Sequence, residues 1–319
     1  MKYSAILCLL SFTCLHVISF AQTITKQFEQ TKFDIRDLHM LDTLHGWATG
    51  EAHWNTAQHQ RTGTILKTAD GGDSWISQQV PGDDDLKDIH FTGMLHSWAV
   101  GDSGTILHTN DGGQNWIKQT INTTHNFSSV FFTDSLKGWV VANEPTHYSF
   151  DEPDAWKGRV WNTTDGGSTW SEQQLPAKAG LMHCLYFQND LRGWAVGVKN
   201  DSLYTFVDTY GVAYLTEDGG QTWVEKFNPE LELVFTDIDF VDDNKGWLVG
   251  FAGSSSENGG NIFRTTDGGE NWIRIAKAEN KILWQVDFID SLKGFICGSD
   301  YAAAWGPPVL RSTDGGGNW

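Results

Sequence analysis

The chain has 319 residues and a formal net charge of −18, from 40 Asp and Glu against 22 Lys and Arg. That balance excludes a protein that tracks nucleic-acid phosphates or an anionic membrane surface, because both need surplus cations. With 34 Gly, 16 Trp and only 19% charged residues, it also excludes a disordered chain or a coiled coil.

The N-terminus reads first as an address. Lys2 precedes an apolar run from Ala5 to Phe20, and Ser19-Phe20-Ala21 offers the small residues that a signal peptidase needs. Residues 1–21 are therefore expected to be a cleaved secretory signal, which would leave a secreted, periplasmic or cell-surface protein of net charge −19. The run is too short and mixed for a membrane span, and no other stretch approaches the length one requires. Cys8 and Cys14 would leave with the signal. Cys184 and Cys297 lie in strand-like apolar contexts and read as two buried thiols rather than a disulfide or a metal pair.

From residue 22 onward the chain repeats itself. Asp-Gly-Gly-x-x-Trp begins at Asp70, Asp111, Asp165, Asp218, Asp267 and Asp314, at intervals of 41 to 54 residues. Between these copies lies a short acidic turn, then Gly-Trp or Gly-Phe and an apolar strand, as in Asp134-Ser135-Leu136-Lys137-Gly138-Trp139. Eleven of the 16 Trp occupy one of the two periodic positions, so the repeat is the organising feature. Each unit reads as four short strands, in the second unit over 86–91, 97–101, 104–109 and 116–121. Four antiparallel strands every 40–55 residues predict an all-β fold, a β-propeller of four-stranded blades forming one domain over 22–319.

Within each repeat the Asp carboxylate can accept hydrogen bonds from the backbone that follows, and the glycines supply the positive φ of a tight turn between the third and fourth strands. The six aspartates therefore read as structural. Closure is the open question. The chain stops at Trp319, where a sixth outer strand would start, and residues 23–30 resemble such a strand and could fill the place. Six blades are expected, or seven if the chain is a fragment of something longer.

The irregular insertions, 51–61, 143–158, 199–211, 251–260 and 299–308, all map to the face opposite the Asp-Gly-Gly turns. Variable loops on a rigid scaffold are where binding usually resides. Trp54, Tyr148, Phe150, Trp156, Tyr204, Tyr210, Tyr301 and Trp305, with Asp151 among them, are the candidate binding residues. Aromatic rings give large contact area at low entropy cost and suit a protein partner, or a glycan in the alternative. No catalytic residue, metal site or cofactor is expected. Asp83-Asp84-Asp85 and the Asp151 cluster lack the spaced ligands of a calcium loop, and no phosphate-binding glycine loop, metalloprotease helix or nucleophile elbow occurs.

The periodic motifs carry a resemblance. Thr109-Asn110-Asp111-Gly112-Gly113-Gln114-Asn115-Trp116, Gly46-Trp47-Ala48-Thr49-Gly50, Gly193-Trp194-Ala195-Val196-Gly197 and Gly104-Thr105-Ile106-Leu107-His108-Thr109 are similar to the photosystem II stability/assembly factor family of Asp-box propellers (BNR-like repeats). The likeness covers residues 30–319. It implies a propeller that serves as a non-enzymatic assembly or docking scaffold. The acidity of this chain leaves no basic patch for an anionic partner and points away from a photosynthetic role. Asp-boxes also occur in sialidases and xyloglucanases, which makes a carbohydrate-binding or glycoside-hydrolase propeller the alternative. Against it, the arginine-isoleucine-proline signature of sialidases is missing, and there is room for one propeller where xyloglucanases use two.

Overall fold

The computed structural model describes residues 16–18, 24–26, 34–55, 60–121, 123–143, 157–200, 209–227, 229, 232–252, 259–300 and 309–319. The repeat folds into six antiparallel sheets in chain order, each running from an inner to an outer strand. Blade 1 comprises Ile35–Met40, Gly46–Asn55, Gln60–Thr68 and Ile76–Ser77. Blade 2 comprises Leu86–Phe91, Ser97–Gly101, Ile106–Thr109 and Ile117–Gln119. The innermost strands of blades 3 to 6 are Asn126–Phe132, Ala179–Phe187, Val234–Phe240 and Lys281–Phe288. The first two strands expected in the second unit match the observed bounds. The third begins two residues late, because Asp102–Gly104 forms a single 3-10 turn with Ser103 at φ 56.

Among the described residues blade 6 has three strands, Lys281–Phe288, Gly294–Asp300 and Val309–Ser312. The 23–30 segment expected beside it contains Ile24–Lys26, which pairs instead with His16–Ile18. Residue 23 and residues 27–30 lie outside the described residues, as does most of the expected 1–21 signal.

The Asp-Gly-Gly turns behave as the repeat suggests. In blade 2, Asp111 Oδ1 accepts from Thr109 Oγ1 at 2.8 Å and from Asn115 N at 2.9 Å, while Oδ2 accepts from Asn115 Nδ2 at 2.7 Å. Thr109 Oγ1 also accepts from Gly113 N. The same set recurs around Asp70, Asp165, Asp218, Asp267 and Asp314. The turn also ties its blade together. Gly112 N donates to Leu95 O in the turn between the first two strands, and Gly71, Gly166, Gly219, Gly268 and Gly315 do the same in their blades. Both turn types therefore share one face.

The Trp of each Gly-Trp pair, and Trp98 after Ser97, serves instead to join blades. Trp98 stacks on Phe132 of blade 3 at 3.6 Å and 7°, and its Nε1 donates to Gly166 O at 3.1 Å. Trp139 and Trp247 repeat both contacts, on Phe187 with Gly219 O and on Phe288 with Gly315 O. The Trp of the Asp-Gly-Gly turn meets the same Phe edge-on, as Trp170 does on Phe132 at 6.0 Å and 90°. Where the indole donor does not reach, a cation replaces it: Lys67 Nζ donates to Gly112 O and Arg192 to Gly268 O. Among the described residues each interface but that between blades 6 and 1 buries an apolar cluster drawn from two neighbouring blades, such as Trp98, Val100 and Ile106 with Phe127, Val130 and Phe132.

Replacing Trp98, which is fully buried, with Phe deletes the bond to Gly166 O and also leaves a void where the second ring stood. Urea unfolding should show a loss of about 2–4 kcal/mol, the lost bond together with the cavity. A loss below about 1 kcal/mol would mean that neither the ring nor its donor holds blades 2 and 3 together.

Candidate functional site

Six inner strands surround a channel of about 1000 Å³, lined from Asp37–Leu41 in blade 1 through to Gln285–Ile289 in blade 6. Each inner strand carries a β-bulge just before the residue that faces the next blade, between Ile35 and Asp37, Leu86 and Asp88, Phe127 and Ser129, Met182 and Cys184, Phe235 and Asp237, and Leu283 and Gln285. The extra residue re-aims the polar side chain sideways along the ring.

The consequence is a belt of hydrogen bonds from blade to blade. Asp37 accepts from Ile89 N at 3.1 Å, Asp88 from Val130 N at 2.7 Å, Ser129 from Leu185 N at 3.2 Å and Asp237 from Val286 N at 2.8 Å. Cys184 carries a free thiol that donates to Asp237 Oδ1 at 2.9 Å. Gln285 Nε2 closes the circuit on Asp37 Oδ1 at 2.9 Å, joining blade 6 to blade 1. The sequence signal for this belt is the repeated apolar-x-polar-apolar pattern, as in Leu86-Lys87-Asp88-Ile89, which sequence reasoning alone misses. Cys297, expected as a buried thiol, is fully buried in blade 6, with its sulfur 3.7 Å from Gln285 Oε1.

Burial governs the belt's titration. Desolvation, then the charge of Asp37, holds the Asp88 carboxyl well above its ordinary value. Desolvation pushes Asp237 up to about 7 and raises the Cys184 thiol as well. Raised carboxyl values often mark a general acid. Here the bulge has already committed each carboxyl to a backbone N–H of the neighbouring blade, which argues for architecture.

Two residues further along each strand, about 6–7 Å on, a second layer lines the channel: His39, His90, Phe131, Tyr186, Asp239 and Asp287 in ring order. His90 Nε2 lies 3.0 Å from Phe132 O, Tyr186 OH donates to Phe240 O at 2.8 Å, and Asp239 Oδ2 accepts from Phe288 N at 2.7 Å. His39 meets His90 edge-on at 5.4 Å, and His90 meets Phe131 at 4.3 Å. The layer is thus aromatic over four blades and acidic over two. Among the described residues no group of three or more His, Cys, Asp and Glu is placed to hold a metal ion.

Of the candidate binding residues, Trp54 and Tyr210 are described, and Tyr148, Phe150, Asp151, Trp156, Tyr204, Tyr301 and Trp305 lie outside the described residues. Trp54 stands 63% exposed opposite Arg61, and Tyr210 pairs with Lys199. The structure does not bring the two together, since they belong to blades 1 and 4. Their segments were expected to be irregular loops. They are strand extensions, because Gly46–Asn55 continues pairing with Gln60–Thr68, and Gly193–Asn200 with Thr209–Thr216.

The sequence matches the family described as Photosynthesis system II assembly factor YCF48 over residues 18–124 and 67–228. The chain belongs to the YCF48 family. Two solved YCF48 structures share this fold. "YCF48 bound to D1 peptide" superposes with a TM-score of 0.66 at 19% identity, covering 95% of this chain and 86% of the other. YCF48 from Cyanidioschyzon merolae gives 0.60 at 18%, covering 88% and 80%. The GH74 enzyme of Niastella koreensis gives 0.61 at 13% identity, and there the chain covers 45% of the enzyme's length. A search of curated proteins found no match.

The pH dependence of stability follows from the two sets of aspartates. Hydrogen bonds from Asn115 and its counterparts hold Asp70, Asp111, Asp267 and Asp314 at about 2, so their contribution is present above about pH 4 and is lost as pH falls toward 2. Asp237 has the opposite sign. Its folded value is raised, so its contribution is full below about pH 4 and is lost as pH climbs to about 7. The thermal midpoint should therefore peak near pH 4–5, and Asp237→Asn, which removes the titration, should flatten the decline toward pH 7. An unchanged neutral limb in the variant would show that Asp237 is not buried as described.

Proposed function

We propose that this YCF48-family propeller is an exported, non-enzymatic scaffold that binds a protein partner through the hairpin face carrying Trp54 and Tyr210. The observation that carries this reading is the combination of an exposed Trp54 on a rigid strand extension with channel carboxyls already bonded to backbone N–H groups. A structural relative that holds a D1 peptide supports the same class of activity. The net charge of −18 argues that the partner of this chain is not anionic and that its role is not photosynthetic. Export rests on the expected 1–21 signal, which would leave the protein secreted, periplasmic or at the cell surface.

A glycan-binding propeller is the second reading, favoured by the exposed Trp54 ring and by the GH74 fold neighbour. A hydrolase would need two carboxyls at a set spacing and free to act, and the belt carboxyls are not free.

Cross-linking in the producing cell, followed by mass spectrometry, should recover a protein partner at least fivefold less with Trp54→Ala/Tyr210→Ala than with the parent chain, while a glycan array stays blank. The recovered protein should begin at Gln22. A glycan signal that disappears with Trp54→Ala would replace the scaffold reading with the carbohydrate one, and an N-terminus at Met1 would remove export.

A further inference from the structure

The face opposite the hairpins carries an apolar ring that architecture does not explain. The turn between the first two strands of five blades holds an exposed leucine, Leu44, Leu95, Leu136, Leu191 or Leu292, each between 50% and 59% exposed, and blade 2 adds Met94. The turns need the leucine's backbone, since its carbonyl accepts from the Asp-Gly-Gly turn, but nothing in that bond needs an apolar side chain. Blade 5 confirms this, because Asn244 occupies the same position with the same bond. The turns follow directly from the inner strands, so the leucines stand around one mouth of the channel. The aromatic and acidic layer of His39, Phe131, Tyr186, Asp239 and Asp287 lies just inside.

Charge decides what such a surface can accept. The same turns carry six aspartates against four Lys and Arg, and the Asp-Gly-Gly turns on that face add six more. Lys137 and Arg192 are already paired with Asp190 and Glu217. A second copy of this chain, an anionic bilayer or an acidic peptide would meet like charge. Inside the mouth, the two carboxylates share the layer with Phe131 and Tyr186, rings that attract cations through their π faces, and the absence of a metal-holding group among the described residues leaves an organic cation as the matching ligand.

We propose that the leucine-rimmed mouth is a docking site for a polypeptide segment that places one Arg or Lys side chain in the channel between Asp239, Asp287 and the aromatic arc, with its apolar neighbours packed on the rim. The inference rests on the reading of the protein as a protein-binding scaffold and assigns it a second surface, on the face away from Trp54.

The test uses the full chain and a fluorescent Leu-Leu-Arg-Leu-Leu amide, with a Leu-Leu-Glu-Leu-Leu amide and free arginine amide as controls. Fluorescence anisotropy should show the Arg peptide binding at least tenfold more tightly than either control. Asp239→Asn/Asp287→Asn should weaken it at least tenfold. Leu136→Gln/Leu191→Gln should weaken it at least threefold, and those side chains stand in solvent, so this variant decides the matter if the aspartate pair fails to fold. Equal binding of the Glu peptide would reduce the rim to nonspecific adhesion and overturn the proposal. Arginine amide binding as tightly as the peptide would make the channel a small-amine site and overturn the docking claim. No binding of the Arg peptide would overturn it too, while loss of partner capture with Trp54→Ala/Tyr210→Ala, measured separately, would leave the scaffold reading standing.

Discussion

A propeller blade cannot bury both its faces alone, and everything in this molecule follows from how one blade is fastened to the next. Two fasteners act at different radii. Near the axis, a bulge in every inner strand turns one polar side chain toward the neighbouring blade. Further out, the first Gly carbonyl of each Asp-Gly-Gly turn from blade 2 onward accepts a donor from the blade before it, whether the donor is Trp98, Trp139, Trp247, Lys67 or Arg192. The glycine there has to be glycine, since its φ of about +70° is what points that carbonyl outward from the turn.

The belt has a cost that shapes the channel's chemistry. Taking Asp88 and Asp237 out of water disfavours their charged forms, and the protein answers by giving Asp88 a backbone donor and Asp237 both a thiol donor and a backbone donor. At blades 3 and 4 the position is Ser129 and Cys184, neutral groups that make the same kind of link without a charge to bury. With Gln285 in blade 6, these neutral positions keep like charges from crowding all the way round. The belt also explains why a ring rich in carboxylates close to one another need not be catalytic: their acceptor capacity is spent on structure.

Sequence periodicity made the fold legible because the residues that build blades recur at every turn. The Asp-Gly-Gly turns, the strand order and the shared face of the two turn types all follow from Asp111 and its five counterparts. The belt was harder to see, since Asp, Ser, Cys and Gln at one position look unrelated until the bulge shows that each only has to reach the next blade. The strand extensions at Trp54 and Tyr210 were hidden for another reason. Their sequences alternate too weakly for a strand signal, and pairing with the opposite hairpin arm overrides local preference. The leucine ring was in plain view in Asp134-Ser135-Leu136-Lys137-Gly138, but a motif read as a turn draws attention to its polar residues.

The joint between blades 6 and 1 shows what these fasteners contribute by what it lacks. Phe295 stands where the other blades place Trp, so no indole N–H is available for the Gly71 carbonyl, and Met40 stands where they place the Phe on which that Trp stacks. Correspondingly, Ile35, Leu38 and Met40 form one apolar cluster and Phe295 with Cys297 another, whereas every other interface merges residues of two blades into a single cluster. The bond from Gln285 to Asp37 spans this seam at the axis. Among the described residues five joints share an apolar cluster and this one does not, and Asp287 and His39, the two channel residues that flank the seam, belong to the layer inside the leucine mouth, where the Gln285 bond to Asp37 holds the two inner strands together.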